Sequence, residues 1–275
     1  RYWIQAGSQI RETEFQLFKT GEPGVLEFQD WLLEHLSPGD VIAMDGRVVS
    51  MTQEKKYRKL WTDRQVRLRT DLDPVAGIWQ DRPTLPRSRA WEFPDRFAGQ
   101  SRVDKMVQIR DAMARAGADY HLMTGLEDIA WTLNLRGSDA PGSPVNIAFV
   151  LMGCDRVTLF IDAGKMDQDT TEALSGDGIR VQPYDAIDGA LAALPDQTGV
   201  LLDPDMVSSA LAGAVNPGCR IIESVSPATR LKTVKNEIQI RHLRDTAVKD
   251  GAAVVCFLHW LSTRGSGTSV TESRA

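Results

Sequence analysis

Residues 126–139, LEDIAWTLNLRGSD, gather a tryptophan, an asparagine, an arginine and an aspartate (Trp131, Asn134, Arg136 and Asp139) just after Glu127 and Asp128. These are residue types from which acid–base, binding and metal sites are built. The pattern predicts a short amphipathic helix that breaks at Arg136-Gly137, followed by a polar loop. Loops held on a rigid frame often carry function. The plainer reading is a helix end and a loop that positions its neighbours, and on these residues alone the plainer reading is preferred.

Other reaction centres are hard to find. No GxSxG elbow is present, since GSGTS follows a helix pattern and the elbow needs a strand before it. A phosphate loop and a three-glycine dinucleotide fingerprint are both missing. His35, His121, His242 and His259 have no partner at zincin spacing, and His242 and His259 stand 17 residues apart on one helix pattern, several turns away from each other. All four read as surface or packing histidines. The carboxylates of DLD (71–73) and DPD (203–205) sit at turns and read as turn or capping groups.

The elements that must position these groups alternate along the chain. Strand patterns are RYWIQA, FQLFKT, VIAMD and QVRLR, with helix patterns at VLEFQDWLLEHL and MTQEKKYRKLWT. A proline- and arginine-rich stretch around residues 81–98 predicts an ordered linker lying on a surface. After it come the helix SRVDKMVQIRDAMARAG, the strand ADYHLMT, the helix–loop above, and the strands NIAFVLMG and RVTLFID. Alternation continues to CRIIES, and one long helix is expected from Pro227 to about Leu261. The order predicts an α/β fold, with helices covering a mixed sheet. An internal echo suggests duplicated domains. Ala6-Gly7 and Ala163-Gly164 lie 157 residues apart; Asp45 and Asp203 lie 158 apart, each followed at +4 and +5 by Val-Ser.

Composition narrows the class. The chain has 275 residues, enough for a sizeable core, and its net charge of -5 argues against a nucleic-acid partner. Cys154, Cys219 and Cys256 are far apart and odd in number, which fits buried thiols in a reducing, cytoplasmic setting. GAAVVCFLHWL is too short to span a bilayer, so no membrane partner is expected. RYWIQA starts within a strand pattern, so a chain cut at its start is expected.

The order of landmarks resembles the front part of the Xaa-Pro aminopeptidase (aminopeptidase P) family. They are RYWIQA, KTGEPGV, DGRVVS, IWQDRP, AGQSRVDKMVQIRDAM, LEDIAWTLNLRGSD, VTLFID, LKTVKNEIQI and KDGAAVVCFLHWL, in family order over essentially the whole chain. The resemblance implies two similar creatinase-type N-terminal α/β domains, at 1–80 and 99–226, joined by a linker at 81–98. Residues 227–275 would begin a pita-bread catalytic domain. It further implies hydrolysis of peptides with proline second, two manganese ions in the full-length protein, proline-containing peptides as partners, and a homodimer. The family's metal ligands and catalytic histidines have no counterpart in these residues, so no catalytic or metal residue is assigned and this stretch by itself is expected to be inactive. Arg1, matching the arginine of the family's DGRY segment, is implied to bind substrate. Arg136 and Asp139 are implied to position the loop near a cleft or a neighbouring subunit. Two departures from the family pattern are the missing Asp-Gly before Arg1 and Ser143-Pro144-Val145 in place of NPV. Alternatives are another pita-bread enzyme, such as creatinase or prolidase, and a non-catalytic module for gating or dimerisation.

Overall fold

A computed structural model describes residues 2–264. The chain divides into two compact units. Residues up to Arg82 together with Pro204–Gly213 form the first; Pro83–Asp203 and the residues from Ala214 onward form the second.

The first unit holds α1 (Tyr2–Gln9), α2 (Phe28–His35), β1 (Val41–Ala43), α3 (Met51–Thr62) and β2 (Arg67–Arg69). β1 and β2 pair in parallel, with Ile42 opposite Leu68, and α3 is the crossover between them. Trp61 is fully buried and is joined in the core by Val66, Leu68 and the side chains of Leu32, Leu33 and Tyr57. Tyr57 and Trp61 are one helical turn apart and stack at 5.2 Å.

α3 keeps its predicted limits because its start is chemically marked. The Ser50 hydroxyl accepts from the Gln53 N–H, and the Gln53 side chain accepts from the Ser50 N–H, a reciprocal capping box. Ser50→Ala should therefore cost about 1 kcal/mol in urea unfolding, and Ser50→Gly only a few tenths. An unchanged midpoint in the alanine variant would mean that the cap contributes nothing.

Two expected strands are corrected here. From Tyr2 onward RYWIQA lies in helix α1, and FQLFKT has no regular secondary structure. Their aromatic and branched residues favour a strand, but a strand needs a ladder partner. The only ladder among the described residues of this unit is β1–β2. A helix satisfies its own backbone groups without one.

The Asp…Val-Ser echo has a spatial counterpart within this unit. Ser50 and Ser208 face each other in an antiparallel bridge. The Met51 N–H donates to the Val207 carbonyl, and the Ser209 N–H donates to that of Val49. Thr52 N–H donates to Pro204 O, and Ala210 N–H donates to Gly46 O, each at 3.0 Å. Moving the donor forward and the acceptor back by 158 residues converts each bond into its mate, a local two-fold arrangement. The Ala-Gly echo has no such counterpart: Ala6-Gly7 lies in α1, and Ala163-Gly164 in a 3-10 turn.

In the second unit, β3 (Trp91–Glu92), α4 (Asp95–Ala98), α5 (Arg102–Arg115), β4 (Tyr120–Met123), α6 (Leu126–Leu133) and β5 (Leu135–Arg136) come first. Then follow β6 (Ala148–Gly153), β7 (Val157–Ile161), α7 (Gln168–Gly176), β8 (Ile179–Gln182), α8 (Ile187–Ala192), β9 (Gly199–Leu202), β10 (Arg220–Glu223), α10 (Pro227–Thr233) and α11 (Glu237–Arg264); α9 (Ser209–Ala214), between β9 and β10 in the chain, belongs to the first unit as far as Gly213. Six strands form one mixed sheet in the order β10-β9-β4-β6-β7-β8. Only β6 runs against its neighbours. Val150, Met152, Val157, Leu159 and Ile161 on one face are fully buried, and Leu151 and Phe160 on the other are buried as well, as expected for strands covered on both faces.

Residues 81–98 are more than a surface linker. Ala90 is fully buried, and β3 pairs antiparallel with β5, Trp91 opposite Arg136. The single helix expected from Pro227 is two helices. Asn236 breaks it, because its side chain accepts from the Gln239 N–H while that of Gln239 accepts from the Asn236 N–H. This second capping box starts α11 afresh. Toward its C-terminal end α11 leaves Val255 66% and Leu258 55% exposed.

Candidate functional site

β4, β7, β8, β9 and β10 run parallel, so their carboxyl ends share one edge of the sheet. That edge is where open α/β sheets hold ligands. The 126–139 segment follows β4 onto this edge.

Asp128, Asn134, Arg136 and Asp139 of the segment each have named partners within the unit. Asp128 is buried; it pairs with Lys232 at 2.6 Å and accepts from the Thr229 hydroxyl. Asn134 ends α6 in the left-handed region (φ 49°), a conformation asparagine tolerates well. Its amide donates to Asp95 Oδ1 and to the Gln100 carbonyl, both at 2.9 Å, and its Oδ1 accepts from Lys105 Nζ. Lys105 is 1% exposed, donates to the Trp131 carbonyl at 2.8 Å and stands 4.8 Å from the centre of the Trp131 ring. Burial pushes its pKa down to about 8.

Arg136 lies on β5 with its guanidinium 4.5 Å from the Phe93 ring centre, and it donates to the Ala130 and Leu135 carbonyls. Burial lowers its pKa as well. Gly137 is required by close approach, since a Cβ there would lie 2.1 Å from Asn146 Oδ1.

Asp139 is the centre of the loop. Its side chain is fully buried and accepts from Ser88 Oγ at 2.7 Å, the Ile147 N–H at 2.7 Å and Lys165 Nζ at 2.6 Å. Burial raises its pKa, but the bonds from Lys165, Ile147 and Ser88 outweigh burial and hold it below the ordinary value. Arg136 and Asp139 are therefore turned into the protein, where they fix the loop against β3, Ser88 and the turn after β7. Arg1 lies outside the described residues.

One arrangement with catalytic geometry was not legible in the sequence. His121 Nε2 is 3.1 Å from Ser226 Oγ, and its Nδ1 is 3.1 Å from the Leu201 carbonyl. If Nδ1 carries the proton, Nε2 accepts from the serine hydroxyl, as a base does beside a nucleophile. Both residues are buried, and burial holds the imidazole pKa down. With no access for substrate, the pair links β4 to the start of α10. The Asp203 carboxylate accepts the Ser226 N–H at 2.8 Å, a long-range bond where the sequence predicts a local turn or cap. Asp73 accepts the Val75 and Ala76 N–H groups, and Asp71 pairs with Arg69.

Residues 81–239 match the family model of the creatinase/prolidase N-terminal domain. The chain belongs to that family. Among curated relatives it is 32% identical, over 284 residues, to a probable Xaa-Pro aminopeptidase P of Laccaria bicolor, covering 100% of this chain and 43% of the relative. It is 29% identical to Xaa-Pro aminopeptidase 1 of Dictyostelium discoideum, covering 99% of this chain and 45% of that protein. The chain thus spans less than half the length of these relatives. Its fold matches an X-prolyl aminopeptidase of Caenorhabditis elegans with a TM-score of 0.85 at 24% identity, over 97% of this chain and 45% of that one. That protein is described as a cytosolic enzyme with a di-nuclear active site.

For a creatinase-family chain, the question is whether these residues could hold such a metal pair. Among the described residues, no group of three or more His, Cys, Asp or Glu side chains is placed to bind a metal ion. The buried carboxylates on the sheet edge have other partners: Asp128 holds Lys232 and Thr229, Asp139 holds Lys165, and Asp203 holds a backbone N–H. The donor set does not fit a dinuclear centre, and no catalytic step is assigned to it. No described helix is long and apolar enough to cross a membrane.

Proposed function

We propose that this chain is the N-terminal part of a metal-dependent Xaa-Pro aminopeptidase, which releases the N-terminal residue from peptides with proline second. The observation that carries the reading is collinearity: relatives named Xaa-Pro aminopeptidase align with 95–100% of the chain at 29–32% identity. Residues 1–80 and 99–226 are assigned as two creatinase-type domains joined by 81–98, with 227–275 opening the catalytic domain. The local two-fold arrangement around Ser50 and Ser208, within the first unit, supports the duplicated Asp…Val-Ser pattern. In this reading the described residues form a positioning scaffold. The metal pair, two manganese ions, belongs to the full-length protein, which acts as a cytoplasmic homodimer. An X–Pro bond is a tertiary amide without an N–H, so recognition has to come from groups around it. Arg1 is assigned to that recognition through its guanidinium fork.

The test joins these 275 residues to the remaining part of the Laccaria bicolor relative. The chimera should cleave a proline-second peptide in the presence of manganese, and the 275-residue chain alone should not. Arg1→Ala in the chimera should lower kcat/KM roughly tenfold to a hundredfold, the weight of one charged hydrogen bond. A folded chimera without turnover, or metal-dependent turnover by the isolated chain, would overturn the assignment.

A further inference from the structure

Beside the polar hub, a cleft of about 490 Å³ opens at the carboxyl ends of β7 and β8. One wall is the extended strap Thr84–Arg87, and the other is Pro183-Tyr184, which follows β8. Ile147 forms part of the lining between them. The volume falls within the range of pockets for drug-sized ligands, roughly 300–1,000 Å³. The Tyr184 ring is held by stacking on Phe149 at 4.9 Å. Leu85, Pro86, Ile147, Pro183 and this ring give the cleft an apolar body.

The charges define what such a body could accept. Arg87 Nε pairs with Asp162 Oδ2 at 2.9 Å, and their side chains are 72% and 34% exposed. A pair this open contributes little to stability, so its members can exchange partners at small cost. Asp162 is fixed for that role, because its other oxygen accepts the Gly164 N–H at 2.8 Å. Lys165 also lines the cleft, but its ammonium is held by Asp139, and Asp185 adds a second carboxylate. A polyphosphate would meet two carboxylates and one available cation. A simple cation would leave the apolar walls unused. An apolar ligand with one positive and one negative end matches both features.

We propose that this cleft binds a short zwitterionic peptide with apolar side chains. Its carboxylate would replace Asp162 on Arg87, its ammonium would replace Arg87 on Asp162, and its side chains would rest on the proline and tyrosine walls. The site lies wholly within the second unit and does not depend on the peptidase reading. Bidentate guanidinium–carboxylate contact supplies direction as well as strength.

The test titrates leucyl-valine into the full 275-residue chain and follows amide chemical shifts. Saturable shifts at millimolar peptide should map to the strap, Ile147 and Pro183–Asp185. N-acetylated and C-amidated forms should each bind roughly tenfold more weakly, as expected for losing one charge-assisted bond. Arg87→Ala should weaken the free peptide by a similar factor but leave the C-amidated form unchanged, because the contact it removes is already gone. Leu85→Trp, at an exposed strap position, should fill the cleft and abolish binding while unfolding at the wild-type midpoint. Shifts that never saturate, that map elsewhere, or that are equal for free and blocked peptides would overturn the proposal.

Discussion

Asp139→Ala should lower the unfolding free energy by about 3–5 kcal/mol, because it strands a buried ammonium. Lys165 is 2% exposed, and its Nζ lies 2.6 Å from Asp139 Oδ2. Without the carboxylate, Lys165 keeps only a long contact to the Ile147 carbonyl at 3.5 Å. The Ile147 N–H and the Ser88 hydroxyl lose their acceptor in the same step. Changing both members of the pair should be far milder. Asp139→Leu with Lys165→Met removes the orphaned charge and should recover most of the loss. The acid limb of stability gives an independent check. The folded pKa of Asp139 lies below its ordinary value, so the unfolded chain binds its proton more tightly. Its contribution is present above the unfolded pKa and disappears as pH falls through the folded one. Urea unfolding of Asp139→Ala should therefore show a shallower loss of stability below pH 4 than wild type. A cost below 1 kcal/mol would show that the pair is as weak as a surface bridge.

Legibility followed the range of the physical signal. α3 was readable because Ser50, Gln53 and the helical spacing after them lie within one turn of the start. The apolar runs of β6 and β7 were readable because strands covered on both faces lose alternation and become continuous. The same local signals misread RYWIQA, where aromatic content suggested a strand and no neighbour was available to pair with it. The break before α11 has a local signal too, Asn236 followed three residues later by Gln239, which the long apolar periodicity on either side masks. The hub was visible as a cluster of polar residues, but its partners were not. Lys165 and Ser88 lie 26 and 51 residues from Asp139 with no spacing to link them. Lys105 did carry a signal. Arg102, Lys105, Ile109 and Met113 share the buried stripe of α5 with Met106, so two cations stand where the helical period calls for apolar groups. A cation in an apolar stripe is a prompt to look for a buried acceptor.

Lys105→Met should remove an alkaline gain in stability that the wild-type chain is expected to show. The Lys105 pKa is pushed down from 10.5 to about 8, first by burial, then by the nearby Arg136 charge and, more weakly, by Arg102; Asp95 opposes the shift. The unfolded chain therefore holds this proton more tightly than the folded one. Below about pH 8 both states are protonated, and the whole cost of burying the charge is felt. Between pH 8 and 10.5 the folded state has released its proton while the unfolded state keeps it, so stability rises with pH. Each unit of displacement corresponds to about 1.36 kcal/mol. With allowance for partial solvent screening, the rise should be on the order of 2–3 kcal/mol. Methionine is close in length and does not titrate, so the variant should lose this rise. It also leaves the Trp131 carbonyl and Asn134 Oδ1 without their donor, at about 1–3 kcal/mol for each orphaned group, and this offset is the same at every pH. Tyrosines and cysteines also titrate in this window, but in both proteins, so they cancel in the difference between the two profiles. The measurement is the urea midpoint of wild type and Lys105→Met at several pH values from 7 to 10.5. Parallel profiles would show that Lys105 keeps an ordinary pKa in the folded protein, with its ammonium fully compensated by the two carbonyl oxygens and the Trp131 ring.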